Sequence, residues 1–250
     1  MPDPADQRAA LAALRDELTT LGPLIDEVVP LHRSGRTLTI TRPTDMDDLL
    51  DRIAKDPEQN LPYWAELWPS GIALADAILR DPGVVQGKAV LELGCGAGTT
   101  AAAAILAGAR LTVTDYAPEA LTLCRYNALV NAGAGPDAAL QLNWRRPDPA
   151  FLQEAGRGYP VVLIADGLYE TRDIDPLLVL AERIVSPGGL LWLAEPGRPV
   201  AARFLETARS EGWHGPSEEH TGPWPDRADA GVVVGLHRLR RGRPSKHSSS

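Results

Sequence analysis

Apolar residues recur along the chain with two different periods, and the alternation between them outlines an α/β protein. Helical spacing runs through residues 4–21 and 45–55, with a β-prone piece, Thr37 to Thr41, between them. From Lys88 onward, short apolar runs over 88–93, 110–115, 138–142, 161–165 and 189–194 alternate with helical patterns over 99–107, 118–130, 149–154 and 174–185. Strand-length runs separated by helices are what a parallel sheet with crossover helices requires. Pro118 and Pro176 fall where a first helical turn tolerates proline, and Gly108 and Gly133 fall where helices stop. A further helix over 201–210 precedes two segments, 213–220 and 231–239, that have no helix between them and so predict a closing antiparallel pair. The expected organisation is a mainly helical N-terminal extension over 1–60, a main domain over 61–240 and a disordered tail over 241–250. Leu61 to Gly71 (LPYWAELWPSG) forms the junction and leads into a helix over 72–79.

Composition narrows the functional classes. With 250 residues, 44% of them hydrophobic, the chain can form one sizeable core. A net charge of -8 argues against general nucleic-acid binding, which needs a basic face. The basic stretch from His237 to Lys246 is expected to be a solvated ending rather than a nucleic-acid or membrane contact. Cys95 and Cys124 are too few for a disulfide framework, and the five histidines are scattered, so no metal site is expected. The chain has no run of apolar residues long enough for a membrane span and starts MPDPADQRAA, unlike a secretory signal, so a cytoplasmic location is expected.

The segment from Val90 to Gly98 (VLELGCGAG) carries the strongest chemical signal. An apolar strand runs into Gly94, Gly96 and Gly98, with Cys95 between the first two as a small filler. Glycines let a backbone turn sharply and come close to a ligand. The spacing is GxGxG with Glu92 ahead of it, whereas a dinucleotide site usually shows GxGxxG to seat a pyrophosphate. S-adenosylmethionine has an amino acid end and an adenosine but no pyrophosphate, and an acid beside the loop with a second on the next strand are the groups it needs. Asp115, followed by Tyr116, ends that next strand and can accept both ribose hydroxyls. Asn143 and Trp144 at the end of the third strand offer a hydrogen-bonding edge and a stacking face for adenine, or else Trp144 closes the core. Asp166 and Tyr169 follow the fourth strand, where ligands of a parallel sheet gather, or else Asp166 caps that strand.

These motifs resemble, in order, the seven-strand lysine methyltransferases related to the enzyme that modifies the electron-transfer flavoprotein β-subunit. The resemblance rests on Pro62-Tyr63-Trp64-Ala65, Trp68-Pro69-Ser70-Gly71, the glycine loop, Asp166 to Tyr169 and Glu195-Pro196-Gly197-Arg198, spanning Leu61 to Arg198. Ser70 stands where the related enzymes carry glycine, and Glu195 where they carry aspartate. It implies a Rossmann-like, seven-stranded, mostly parallel sheet with helices on both faces and S-adenosylmethionine as cofactor. It also implies methylation of a protein lysine, with a small-molecule nitrogen or oxygen as the alternative acceptor and a non-catalytic cofactor-binding protein as a third reading. Asp166 is then expected to orient the acceptor amine, and Tyr169 to shape the methyl channel. Trp64 and Trp68 cover the cofactor or pack the core. Arg198 pairs with Glu195 or Asp166, grips an anionic group of the acceptor, or lies on the surface.

Overall fold

The computed structural model describes residues 4–53 and 61–242. It begins with helix α1 (Pro4–Leu18), strands β1 (Leu24–Leu31) and β2 (Arg36–Pro43), and helix α2 (Met46–Ile53). Then come α3 (Pro69–Arg80), β3 (Ala89–Leu93), α4 (Thr99–Leu106), β4 (Arg110–Asp115), α5 (Pro118–Ala132), β5 (Ala138–Gln141), α6 (Pro149–Ala155) and β6 (Tyr159–Ala165). The chain continues through α7 (Ile174–Ile184), β7 (Val185–Glu195), α8 (Pro199–Ser210), β8 (Trp213–His214), β9 (Ser217–His220) and β10 (Val234–Arg241). The expected end of the second helix (residues 54 and 55) and the tail beyond Gly242 lie outside the described residues.

The main sheet runs β5-β4-β3-β6-β7-β10, with β3 to β7 parallel to their neighbours and β10 antiparallel to β7. Seven strands were expected in this sheet, and eight are present among the described residues. The extra one arises because the predicted strand over 213–220 is split. β8 pairs with Arg240 and Arg241, while β9 pairs with Val234 to His237 on the same edge of β10. Pro216 lies between the two pieces and has no N–H to continue a ladder, although its carbonyl still accepts from Arg238 at 3.0 Å.

Both faces of the sheet are buried, and successive strand residues divide between them. Val90, Leu163 and Trp192 face α3, α4 and α5, whereas Leu91, Val162, Ile164 and Leu191 face α7 and α8. This explains why the strands read as continuous apolar runs rather than as alternating ones.

The N-terminal segment departs most from its expected form. Only the centre of β2 was foreseen; β1, with its two acids and a proline in LIDEVVPL, reads poorly as a strand. The two form an antiparallel hairpin, Leu24 opposite Pro43 through to Leu31 opposite Arg36, so two strands of eight residues stand between the two expected helices. It is also not a separate body. Leu18, Leu21, Val29, Leu31, Leu38, Ile40 and Leu49 join the same buried cluster as α3 to α5. Two asparagines one turn apart on α5 hold it as a strand would. Asn127 and Asn131 each accept from a β2 N–H (Thr41 and Thr39) and return a bond to the same residue's carbonyl, all four at 2.8 Å. Arg238 and its neighbours to Arg241, expected in part as tail, complete β10 within the sheet.

Candidate active site

The carboxyl ends of β3, β4, β5 and β6 open into one cavity of about 350 Å³, a size typical of small-molecule sites. Its floor is the glycine loop. Gly94 and Cys95 both donate their backbone N–H to the carbonyl of Thr114, at 2.9 and 3.0 Å, which folds the loop back over the end of β4. Gly94 has φ +72°, and a Cβ there would stand 3.3 Å from the Trp144 ring. A side chain at Gly96 would crowd the Trp64 carbonyl at 3.4 Å. These two glycines keep the floor open.

Gly98, for which a cofactor contact was expected, does not line the cavity. A Cβ on it would stand 2.7 Å from the Cα of Cys124, so this glycine lets α4 approach α5. Cys95 and Glu92 also lie behind the cavity wall rather than on it. Glu92 is 1% exposed, its Oε2 has no hydrogen-bond partner, and burial together with Asp115 pushes its carboxyl well up. Glu92 thus lies beneath the loop with desolvation favouring its neutral form. Cys95 is buried and its thiol is pushed up by burial, in keeping with a filler.

Asp115 faces the cavity. Its Oδ2 accepts from Gly96 N–H at 2.9 Å and its Oδ1 from Ala117 N–H at 3.0 Å. Burial raises the carboxyl to about 6, against the opposing effect of these backbone donors. Tyr116 lies beside it, and Leu21 and Leu49 from the N-terminal segment close that end with apolar surface. At the β5 end, the Oδ1 of Asn143 closes its own turn by accepting from Arg145 N–H at 3.0 Å. The Trp144 indole donates to Asp173 Oδ1 at 3.1 Å. Asp173, fully buried, also receives Arg145 at 2.6 and 3.2 Å. Trp144 is thus a cavity wall fixed at its edge. Asp173 and Arg145 were not foreseen, because only the fold brings them together.

The β6 end holds the remaining chemistry. Asp166 is the only non-glycine residue among those described with a left-handed backbone, at φ +54°. Such strain persists where surrounding contacts hold it, often at functional sites. Ser70 donates to its Oδ2 at 3.2 Å, and Arg198 Nη1 lies 2.7 Å from its Oδ1 as an ion pair off the line of a hydrogen bond. Burial pushes the carboxyl up, while Arg198 and then Ser70 pull it down. Aromatic rings wall this end. Tyr63 meets Trp68 edge-on with ring centres 5.7 Å apart, and meets Tyr169 at 5.3 Å. Trp68 is fixed by its indole N–H on the Tyr63 carbonyl at 2.8 Å. Burial, then the negative field of Asp173, pushes the Tyr169 phenol up, so it stays protonated. Of the alternatives for Arg198, the structure supports the pairing with Asp166. Glu195 is turned away, accepting from Gly197 N–H at 2.6 Å and from His237 at 3.2 Å. Ser70 and Tyr63 lay within motifs singled out in the sequence, but their partners were not readable there.

Residues 91–191 match the family described as a methyltransferase domain. The matched residues run from β3 to β7 and include the glycine loop and Asp115, so this part of the chain is similar to a methyltransferase domain. The chain is 34% identical over 140 residues to the electron transfer flavoprotein beta subunit lysine methyltransferase of Mus musculus, covering 55% of this chain and 52% of that protein. It is 26% identical over 132 residues to the ubiquinone biosynthesis O-methyltransferase of Sinorhizobium fredii, covering 53% and 50%. The chain thus spans about half the length of the curated relatives it matches. Among solved structures, the N-methyltransferase NodS from Bradyrhizobium japonicum, in complex with S-adenosyl-L-homocysteine, shares the fold with a TM-score of 0.52 and 19% identity, over 80% of this chain and all of that one. No described helix is long and apolar enough to cross a membrane.

Proposed function

We propose that the protein binds S-adenosylmethionine in the cavity above the glycine loop and methylates the side-chain amine of a protein lysine. The residues present suit the cofactor. Gly94 and Gly96 leave room for close approach, Asp115 presents a carboxylate with lone pairs left for a ribose diol, and Asn143 with Trp144 offers an edge and a face for adenine. Trp64 and Trp68 cover the cavity from the side of the junction segment. Bound there, S-adenosylmethionine supplies an activated methyl carbon.

The observation that carries the acceptor reading is the β6 end of the cavity. One buried carboxylate, Asp166, lies beside the mutually packed rings of Tyr63, Trp68 and Tyr169. A slender alkyl chain ending in nitrogen suits such a channel: the rings contact its methylenes, and Asp166 accepts an N–H and aims the nitrogen lone pair. Catalysis by this chain is then mostly positioning. Tyr169, a phenol throughout the working pH range, shapes the channel and excludes water. The 34% identity to a lysine methyltransferase supports the same reading.

The test is methyl transfer from tritiated S-adenosylmethionine to purified electron transfer flavoprotein β-subunit, and in parallel to a cell lysate. Label on lysine in the protein fraction is the expected outcome. Label confined to small molecules would replace the lysine reading by the small-molecule one that the likeness to the O-methyltransferase supports. Binding without any transfer would leave a cofactor-binding protein.

A further inference from the structure

The Asp166–Arg198 pair poses a question that the lysine reading leaves open. Lysine in water is an ammonium, which has no lone pair with which to attack, and an unpaired buried carboxylate would stabilise that form. Here the carboxylate is already paired. Asp166 has 6% of its side chain exposed and Arg198 has 32%, so the guanidinium bridges from the carboxylate to solvent. Its backbone is held extended by the following Pro199, its charge lies 5.6 Å from the centre of the Trp68 ring, and Glu195 does not compete for it.

We propose that Arg198 is a positioning residue that neutralises Asp166, so that the carboxylate can orient the acceptor nitrogen by a hydrogen bond yet offers no free counter-ion to an ammonium, and the acceptor amine is held as its free base. The proton stays in solvent before the amine enters. This rests on the reading that an amine is methylated beside Asp166. Every charged or titratable group felt by Asp166 is consistent with it. Ser70 from α3 is a neutral donor, and Tyr169 is a phenol. Glu195 at the end of β7 and Asp229 from the turn before β10 add negative field. Arg198 is the cation that acts on Asp166 against these two acids. Without it, an entering amine would meet an acidic pocket and keep its proton.

The test uses Arg198→Gln and Arg198→Lys in the full chain, with the electron transfer flavoprotein β-subunit and tritiated S-adenosylmethionine, and reads kcat, which reports the groups of the bound complex, from pH 6 to 10. The rising limb should move to higher pH by about one unit or more in Arg198→Gln, since an opposite charge at this range shifts a group by that much. In Arg198→Lys, which keeps the charge, the limb should stay near its wild-type position. A lowered rate in both variants with an unmoved limb would make Arg198 scaffold and overturn the proposal. A second measurement does not depend on the acceptor. The Asp166 carboxyl, ¹³C-labelled and assigned with Asp166→Asn, is titrated by NMR with S-adenosylhomocysteine bound; its midpoint should rise in Arg198→Gln, and an unmoved midpoint overturns the proposal. If wild-type protein labels neither this acceptor nor any lysate protein, the lysine reading fails, and the carboxyl titration by itself judges whether Arg198 controls Asp166.

Discussion

Acidification should weaken cofactor binding, and Asp115 sets the pH at which it does so. The carboxyl is 9% exposed and is raised to about 6 by burial. Below that pH it carries a proton, and its charge-assisted acceptance of ribose hydroxyls is lost while Gly96 and Ala117 N–H still compete for its oxygens. Glu92, buried beneath the loop, also has its carboxyl pushed well up, by burial and then by Asp115. If only the ionised form binds, affinity for S-adenosylhomocysteine should fall about tenfold, or about 1.4 kcal/mol, from pH 7 to pH 5. Folding has the opposite sign. A carboxyl raised from 3.8 to about 6 contributes stability that is present below about 4 and is lost as pH rises through about 6. Cofactor-free stability from this group and cofactor affinity therefore move in opposite directions across this window. Asp115→Ala should weaken binding at pH 7.5 by about 2–3 kcal/mol, roughly 30- to 150-fold, through lost charge-assisted bonds. It should also flatten the pH dependence. Calorimetric titration from pH 5 to 8, with melting temperatures of the free protein as a folding control, reads both. A wild-type affinity that is flat over this range would refute the reasoning, as would an unchanged affinity in Asp115→Ala.

Asp166→Asn should leave S-adenosylhomocysteine affinity within about twofold and lower turnover, because the group acts on the acceptor; normal turnover in a folded variant would reduce Asp166 to a strand cap. Gly98→Ala should destabilise by more than about 2 kcal/mol, since it combines a left-handed φ of +80° with a Cβ set 2.7 Å from the Cys124 backbone, and urea unfolding tests this. Asp173→Ala should cost about 3–5 kcal/mol by removing the buried carboxylate that takes Arg145 and should free the Trp144 indole, so a melting temperature within a degree of wild type would show that the buried pair is not the anchor described.

The sheet strands, the helices that cross between them and the glycine loop with Asp115 were readable from residues alone. A strand buried on both faces must be apolar along its whole length, and a loop that admits a ligand must lack Cβ atoms. Both demands are local and leave their mark on consecutive residues. Trp144 and Asp166 were placed by the same logic, at strand ends on one edge of a parallel sheet. What those side chains bond to was another matter. Asp166 was one of two partners expected for Arg198, and the fold chose between them; Ser70 reaches Asp166 from an element far away in sequence, and Asp173 joins Arg145 to Trp144 across another long gap. Nothing near Ser70 or Asp173 in the chain specifies such meetings. The N-terminal hairpin shows the same limit at the level of an element. LIDEVVPL becomes a strand because β2 pairs with it and because Asn127 and Asn131 on α5 supply the hydrogen bonds that β2 lacks on its other side. The division of the last predicted strand into β8 and β9 needed only Pro216, but its consequence, two pieces sharing one edge of β10, appears only once the sheet is assembled. Local pattern determined which residues turn, extend or coil and where a cofactor can come close. Tertiary structure decided which charges meet, because the pairing of distant buried groups is set by packing and desolvation rather than by spacing along the chain.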